Sequence, residues 1–267
     1  MRKIFAAMFL AVILCSGCYA EDRSYYPPVL MYHELKPTPL NTFDTTPEAF
    51  ASQLDWLKDN GYTTLSLEEF IAFTQKGEGF PDKAVFITFD DGYSGIYEYA
   101  LPELKKRGMK ATYFITACTI GGVKGTAYPH ITYAQLAEMA AGDTISIGSH
   151  TISHLRLTEL SPDALKIETA KSKQILENFT GLKIRAIAYP EGYYDGEVID
   201  AAKEAGYEIA FAVQDRGLFG HEHRWSIPRI YTGLELAEND NALFKEFVMT
   251  YKSMPEGAFA ERWKPID

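Results

Sequence analysis

The sequence predicts a distorted (β/α) barrel of about seven parallel strands, folded as a single α/β domain. Short apolar runs alternate with helical segments of about 10 to 15 residues, which is the pattern of right-handed βαβ units. Residues 84–89 form an apolar run, as in strands that are buried on both faces of a parallel sheet. The 267 residues contain no repeat, low-complexity tract or break in composition, so one large domain accounts for the chain.

Each predicted element follows from local patterning. The first helix begins with Thr46 as its cap and Pro47 at its first position, and Gly61 ends it. Phe50 and Leu54 recur at helical spacing between these ends. The predicted strands cover residues 29–32, 84–89, 111–116, 144–147, 184–189, 208–213 and 226–231. The predicted helices cover residues 46–61, 66–77, 97–107, 132–141, 161–179, 197–205 and 241–250.

The amino-terminal segment is predicted to direct export. Residues 1–20 have a basic start and an apolar stretch too short to span a bilayer, as in a signal peptide. Cleavage is expected either after Ala20 or before Cys18, and in the second case a lipid on Cys18 anchors the protein to a membrane surface. Both routes predict a protein of the cell envelope or the extracellular space. Residues 21–28 are predicted to be a tether.

Composition excludes several classes of protein. Hydrophobic residues make up 46% of the chain and charged residues 23%, which is typical of a globular domain rather than a disordered chain. Lys and Arg number 26 against 36 Asp and Glu, so the net charge of −10 argues against nucleic acid as a partner. Three cysteines are too few for a disulfide framework.

Polar residues follow the predicted strands at the ends where barrel enzymes carry their reacting groups. These residues are His33, Asp90, Asp91, His150 and His154. Taken separately, the two carboxylates are also consistent with a turn and the two later histidines with a surface loop. Together, two imidazoles and one carboxylate form a three-ligand set with an open position, as a catalytic divalent metal needs. Adjacent carboxylates on an extended segment point in opposite directions, so one can bind the metal while the other acts as a base.

The segments that carry these residues resemble a known family. Thr88–Gly92 and Ser149–His154 resemble the signature of the polysaccharide deacetylases, carbohydrate esterase family 4. Met31–Leu35, Ala188–Gly192 and Ser226–Arg229 are similar to the poly-β-1,6-N-acetylglucosamine N-deacetylase branch of that family. The resemblance covers nearly all of the chain after about residue 29, and it implies that residues 29–267 are a NodB-like catalytic domain.

The resemblance implies a role for each of the five residues. Asp91, His150 and His154 are expected to hold one divalent metal. Zinc is the first choice for such ligands, with nickel, cobalt and iron as alternatives. Asp90 is expected to be the general base and His33 the general acid that protonates the leaving amine.

Further residues are expected to bind the substrate or to orient the base. The residues expected to contact the substrate or its oxyanion are Tyr93, Pro190, Glu191, Gly192 and Trp225. Most members of the family use an arginine of the third motif to hold the base, and Ala188 stands at that position here. We expect Arg229, on the last predicted strand, to orient Asp90 in its place, because a guanidinium can bind both carboxylate oxygens.

The resemblance implies hydrolysis of N-acetyl groups from an N-acetylglucosamine polysaccharide, with release of acetate. Poly-β-1,6-N-acetylglucosamine is the expected substrate, and peptidoglycan or a chitin-type polymer is the alternative with the same site. A barrel that binds glycan without turnover is a further alternative, and the intact acidic and histidine motifs argue against it. The expected partners are the polysaccharide, a membrane only through a lipid on Cys18, and separate export or glycan-binding proteins.

Overall fold

A computed structural model describes residues 26–76, 79–122, 126–213 and 224–250. Strands and helices alternate along these ranges. The strands are β1 Val29–Tyr32, β2 Thr63–Thr64, β3 Ala84–Phe89, β4 Ala111–Ile115, β5 Ile145–Ser149, β6 Ala186–Ala188, β7 Ile209–Phe211 and β8 Ile230–Tyr231. The helices are α1 Pro47–Asp59, α2 Leu67–Lys76, α3 Leu101–Arg107, α4 Tyr133–Ala141, α5 Pro162–Lys166, α6 Ser172–Thr180, α7 Gly196–Glu204 and α8 Leu234–Thr250. Within the same ranges, no helix combines the length and the apolar character needed to cross a membrane.

The strands pair in parallel and form a curled sheet with the order β7-β6-β5-β4-β3-β1-β8, while β2 pairs with β3 alone. The segment that leads into β8 also bonds to β7 at the opposite edge. Ile227 donates its N–H to the carbonyl of Ala210 at 3.0 Å and accepts from Ala212 at 2.8 Å. Leu30 of β1 lies opposite Ile230 of β8. The same stretch of chain therefore contacts both edges, and the predicted distorted (β/α) barrel of seven parallel strands is confirmed.

Residues that alternate along the strands fill the inside of the barrel. Phe86 of β3 packs against Phe211 of β7 with ring centroids 5.6 Å apart, and Phe70 of α2 covers Phe86 at 4.4 Å. Successive side chains of a strand point to opposite faces. Thr88 and Asp90 therefore continue the row that begins with Phe86, and Asp90 projects into the barrel at the carboxyl end of β3.

The observed elements differ from the predicted ones in several places. The predicted helix over 97–107 is a π-helical segment, Ile96–Ala100, followed by α3. The two-residue strand β2 was not predicted, because a pair of threonines has no apolar pattern to recognise. The predicted helix over 161–179 is divided into α5, a π-helical segment Ile167–Lys171, and α6. The predicted strand over 226–231 contributes only β8 to the ladder with β1, because Ile227 pairs with β7 instead. Helix α8 begins at Leu234 rather than 241.

The predicted signal peptide, most of the predicted tether and Cys18 lie outside the described residues. Export, the place of cleavage and lipid attachment therefore stay predictions.

Candidate active site

The carboxyl ends of four strands bring the predicted site residues to one end of the barrel. His33 follows β1, the pair Asp90 and Asp91 follows β3, His150 follows β5, and a turn at 190–192 follows β6. The N–H of Asp90 donates to the carbonyl of Tyr32 at 3.0 Å, which joins the ends of β1 and β3. A cavity of about 420 Å³ opens there and is lined by His33, Asp90, Asp91, His150 and His154 among others. The sequence analysis expected all five residues at this end.

Asp91, His150 and His154 lie close enough together to share one metal ion. Their ligand atoms lie within 4.8 Å of one another. The Oδ1 atom of Asp91 is 3.4 Å from the Nε2 atoms of both histidines. That Oδ1 atom is buried and accepts no hydrogen bond from the described residues. A buried carboxylate oxygen without a donor is costly, and a divalent cation between these three atoms would satisfy it. The donor set therefore fits a divalent metal such as zinc.

Hydrogen bonding and charge prepare two of these residues to act as ligands. The Nδ1 atom of His150 lies 2.8 Å from the carbonyl oxygen of Ala188, which can only accept, so the proton of the neutral ring lies on Nδ1. This leaves the Nε2 lone pair facing Asp91. Burial alone would raise the pKa of Asp91, but the imidazoles of His150 and His33 hold it well below its usual value. Asp91 is therefore ionised at neutral pH.

The backbone at the site is strained. Among the described residues, four of the five non-glycine residues with positive φ lie on its loops: Asp91 (75°), Thr151 (67°), His154 (56°) and Glu191 (54°). A non-glycine residue in this region costs about 1–3 kcal/mol, and it persists only where surrounding contacts hold it. Gly92, with a φ of 100°, completes the turn after β3, where a Cβ would meet the Thr119 hydroxyl at 2.9 Å.

Asp90 is paired with Arg229 inside the barrel. The guanidinium donates from Nη1 to Oδ1 at 2.7 Å and from Nη2 to Oδ2 at 2.6 Å, and it also donates from Nε to the carbonyl of Ala212 at 3.1 Å. Arg229 is 0% exposed and Asp90 is 2% exposed. Burial would raise the pKa of Asp90, but the guanidinium and the imidazole of His150 together lower it below its usual value. The structure thus places against Asp90 the arginine that the sequence analysis expected to replace the one missing at Ala188.

His33 also lines the cavity, and aromatic rings pack against it. Its ring packs edge-on against Phe43 at 5.3 Å and Tyr231 at 6.1 Å between centroids. Burial lowers the pKa of His33, and the negative charges of Asp91 and Asp90 oppose that effect. The ring therefore shares the cavity with both carboxylates.

The residues expected to contact the substrate are divided between the cavity wall and the core. Tyr93 and Glu191 line the cavity, whereas Pro190 and Gly192 are the buried residues of the turn and do not line it. Trp225 also does not line it, because its side chain packs against the core and lies 5.7 Å from the Nζ atom of Lys203 on α7. Of the five expected contacts, Tyr93 and Glu191 therefore line the cavity, and Pro190, Gly192 and Trp225 do not.

A side-chain cluster at the mouth of the cavity was not predicted from the sequence. Arg156 donates from Nε to Glu191 at 3.0 Å, pairs with Glu159 at 2.9 Å, and lies 4.4 Å above the ring of Tyr193. It thereby joins the loop that carries His154 to the turn after β6. Phe43 and Tyr128 line the opposite side of the cavity. The separation of these residues along the chain leaves no local pattern from which the cluster could be found.

Comparison with known proteins places this geometry in a family. Residues 77–210 match the model of the family described as polysaccharide deacetylase. A poly-β-1,6-N-acetyl-D-glucosamine N-deacetylase of Staphylococcus epidermidis is 31% identical over an alignment of 242 positions that covers 82% of each chain.

Solved structures agree in fold with the barrel. A Streptococcus pyogenes deacetylase, PplD, in complex with acetate is 29% identical, with a TM-score of 0.72 over 82% of this chain and 96% of that one. IcaB from Ammonifex degensii has the same fold, with a TM-score of 0.69 at 23% identity over 82% of this chain and 97% of that one. The chain therefore belongs to the polysaccharide deacetylase family and is a carbohydrate N-deacetylase.

Proposed function

We propose that the protein uses one divalent metal to hydrolyse N-acetyl groups of poly-β-1,6-N-acetylglucosamine, with release of acetate. The observation that carries the proposal is the open cluster of Asp91, His150 and His154 next to the buried Asp90–Arg229 pair. The staphylococcal relative, which matches over most of both chains, bears the name of this activity and supports the choice of polymer.

Asp91, His150 and His154 would hold the metal at the wall of the cavity. A divalent ion held there would supply Lewis-acid stabilisation of the developing negative charge and a lowered pKa for the attacking water. Zinc suits two imidazoles and a carboxylate, and nickel, cobalt and iron bind such ligands as well. The chain itself contributes the fixed position of His150, whose Nδ1 is tied to the backbone of β6.

Asp90 is placed to remove the proton of the attacking water. Its Oδ2 atom lies 3.8 Å from Nε2 of His150 and therefore faces the ligand cluster. The Arg229 guanidinium occupies one lone pair of each carboxylate oxygen and keeps the group ionised. The remaining lone pair of Oδ2 accepts the proton while the water oxygen attacks the acetamide carbonyl carbon.

We assign to His33 the second proton transfer of the reaction, which is to the leaving amine. When the bond between the carbonyl carbon and the amide nitrogen breaks, the leaving amine needs a proton, and the imidazolium of His33 donates it. Burial lowers the pKa of His33, and the carboxylates of Asp91 and Asp90 oppose that effect only in part. The products are acetate and the free amine of glucosamine.

Acetate release from β-1,6-linked and β-1,4-linked N-acetylglucosamine oligomers, measured side by side, tests the proposal. We expect turnover of the β-1,6 oligomer that stops with a chelator and returns with added zinc. Preference for the β-1,4 oligomer would instead assign a peptidoglycan or chitin-type substrate. Binding of both oligomers without acetate release would show a glycan-binding barrel and refute the proposal.

A further inference from the structure

The loop between the two histidine ligands has a conformation that its own residues disfavour. Thr151 and His154 both have positive φ, at 67° and 56°. Hydrogen bonds within the loop hold each of them locally, from Thr151 N–H to the Ser149 hydroxyl and from His154 N–H to the Thr151 hydroxyl, both at 3.2 Å. Each strained residue costs about 1–3 kcal/mol, so contacts from outside the loop are needed to maintain the spacing of the two imidazoles.

A single carboxylate accepts hydrogen bonds from two backbone N–H groups of this loop. The Oε2 atom of Glu168 accepts the N–H of Ile152 at 2.8 Å and the N–H of Ser153 at 3.0 Å. The loop is also held through its carbonyl groups, because Thr151 accepts from the N–H of Ala117 and Ile152 from the N–H of Cys118, both at 3.0 Å. Without Glu168 the two consecutive N–H groups would have no acceptor among the described residues, and only water could take its place at these partly buried groups.

The two loop N–H groups are the hydrogen-bond partners of the Glu168 carboxylate among the described residues. It is 7% exposed, and no lysine, arginine or histidine of the described ranges forms an ion pair with it. It lies on the π-helical segment Ile167–Lys171, where the helical hydrogen bonds change register between α5 and α6. Such single-turn π segments inside α-helices occur frequently at functional sites. A buried carboxylate bound only to loop N–H groups is suited to hold that loop in one conformation.

We propose that Glu168 is a positioning residue that sets the separation of His150 and His154 by clamping the loop between them. The inference rests on the proposed metal-dependent function and adds to it a residue that touches neither substrate nor metal ligand. Two charge-assisted hydrogen bonds from neighbouring residues restrict both the position and the rotation of the two peptide units between Thr151 and Ser153.

Glu168→Gln tests the clamp, with Glu204→Gln as the control. Glutamine preserves the shape but replaces the carboxylate by a neutral amide. Glu204 is an exposed glutamate of the neighbouring helix α7 whose carboxylate pairs with Lys166 at 3.3 Å. Two quantities are measured on purified full chains: hydrogen exchange of the Ile152 and Ser153 amides in metal-free protein, and zinc affinity by competition with a chelating dye.

We expect Glu168→Gln to exchange both amides faster and to bind zinc about 10- to 100-fold more weakly than wild type, as for other groups that orient metal ligands. Saturating zinc should restore most of its kcat, and Glu204→Gln should behave as wild type throughout. Unchanged amide protection and zinc affinity in Glu168→Gln would overturn the inference.

If wild type binds no zinc, the proposed function fails, while amide exchange still decides whether Glu168 holds the loop. If Glu168→Gln does not fold, Glu168→Asp, which keeps the charge but is shorter, replaces it with the same expected outcomes.

Discussion

Arg229→Ala removes the guanidinium that binds both oxygens of the Asp90 carboxylate. The two side chains are 0% and 2% exposed, so solvent cannot replace the lost partner. Removing one member of a buried ion pair costs about 3–5 kcal/mol, because the other charge is left unpaired. We expect a loss of this size in the free energy of unfolding, measured by urea denaturation at neutral pH. Replacing both charges, as in Asp90→Asn with Arg229→Gln, should recover part of the lost free energy of unfolding.

The same substitution changes the dependence of stability on pH. In wild type the pKa of Asp90 is lowered, so its stabilising contribution is complete above the unfolded-state pKa of about 4 and is lost as the pH falls through the native pKa. Without the guanidinium, burial raises that native pKa. The stability difference between wild type and Arg229→Ala should therefore be smallest in acid, where both proteins carry a protonated Asp90, and should grow as the pH rises.

The kinetic consequence follows from the same pKa. The acid limb of the pH–rate profile of Arg229→Ala should move to higher pH. Its kcat should fall by as much as the 10²–10⁴-fold that a general base typically contributes. Arg229→Lys keeps the charge but not the two-point contact, so its acid limb should remain near that of wild type while kcat still falls. A folded Arg229→Ala with an unchanged profile and full activity would refute the assignment of Arg229 as the partner of Asp90.

Two further substitutions test other parts of the site. His33→Gln should retain zinc and lose kcat by about 10²–10⁴-fold, because it removes the proton donor but no ligand; loss of zinc measured by elemental analysis would place His33 in the ligand set instead. Arg156→Ala should raise KM more than it lowers kcat, because Arg156 contacts Glu191 and Tyr193 at the mouth of the cavity and not the reacting atoms; an unchanged KM for oligomers would exclude a role in substrate binding.

Local sequence patterns predicted the alternation of strands and helices and the strand ends that carry the site. The motifs around Asp90 and His150 were recognisable because each places polar residues directly after a buried strand. The π-helical segments were not, because a change in hydrogen-bond register leaves the apolar spacing nearly the same. Asn241, with a φ of 58°, marks the position where helix α8 was expected to begin, although the observed helix starts earlier.

Contacts between distant residues account for what sequence could not predict. Glu168 clamps a loop fifteen positions away, and Arg156 contacts a turn thirty-five positions away. The pairing of Arg229 with Asp90 spans 139 positions, and it could be anticipated only because the barrel returns the last strand to the first. Trp225 was expected at the substrate because aromatic rings stack on sugars, but its backbone carbonyl is bound by Tyr189 and its ring packs against the core.

We propose that Asp91, His150 and His154 hold the metal while Asp90 acts as the base beside it. This division of roles is tested by the zinc content per chain of Asp90→Asn, with acetate release measured on the same preparation. Asp90→Asn should keep the zinc content of wild type while its rate falls about 10²–10⁴-fold, whereas His150→Ala should lose both zinc and activity. Loss of zinc from Asp90→Asn would place Asp90 among the ligands, and zinc with normal turnover in His150→Ala would show that the metal site is assigned wrongly.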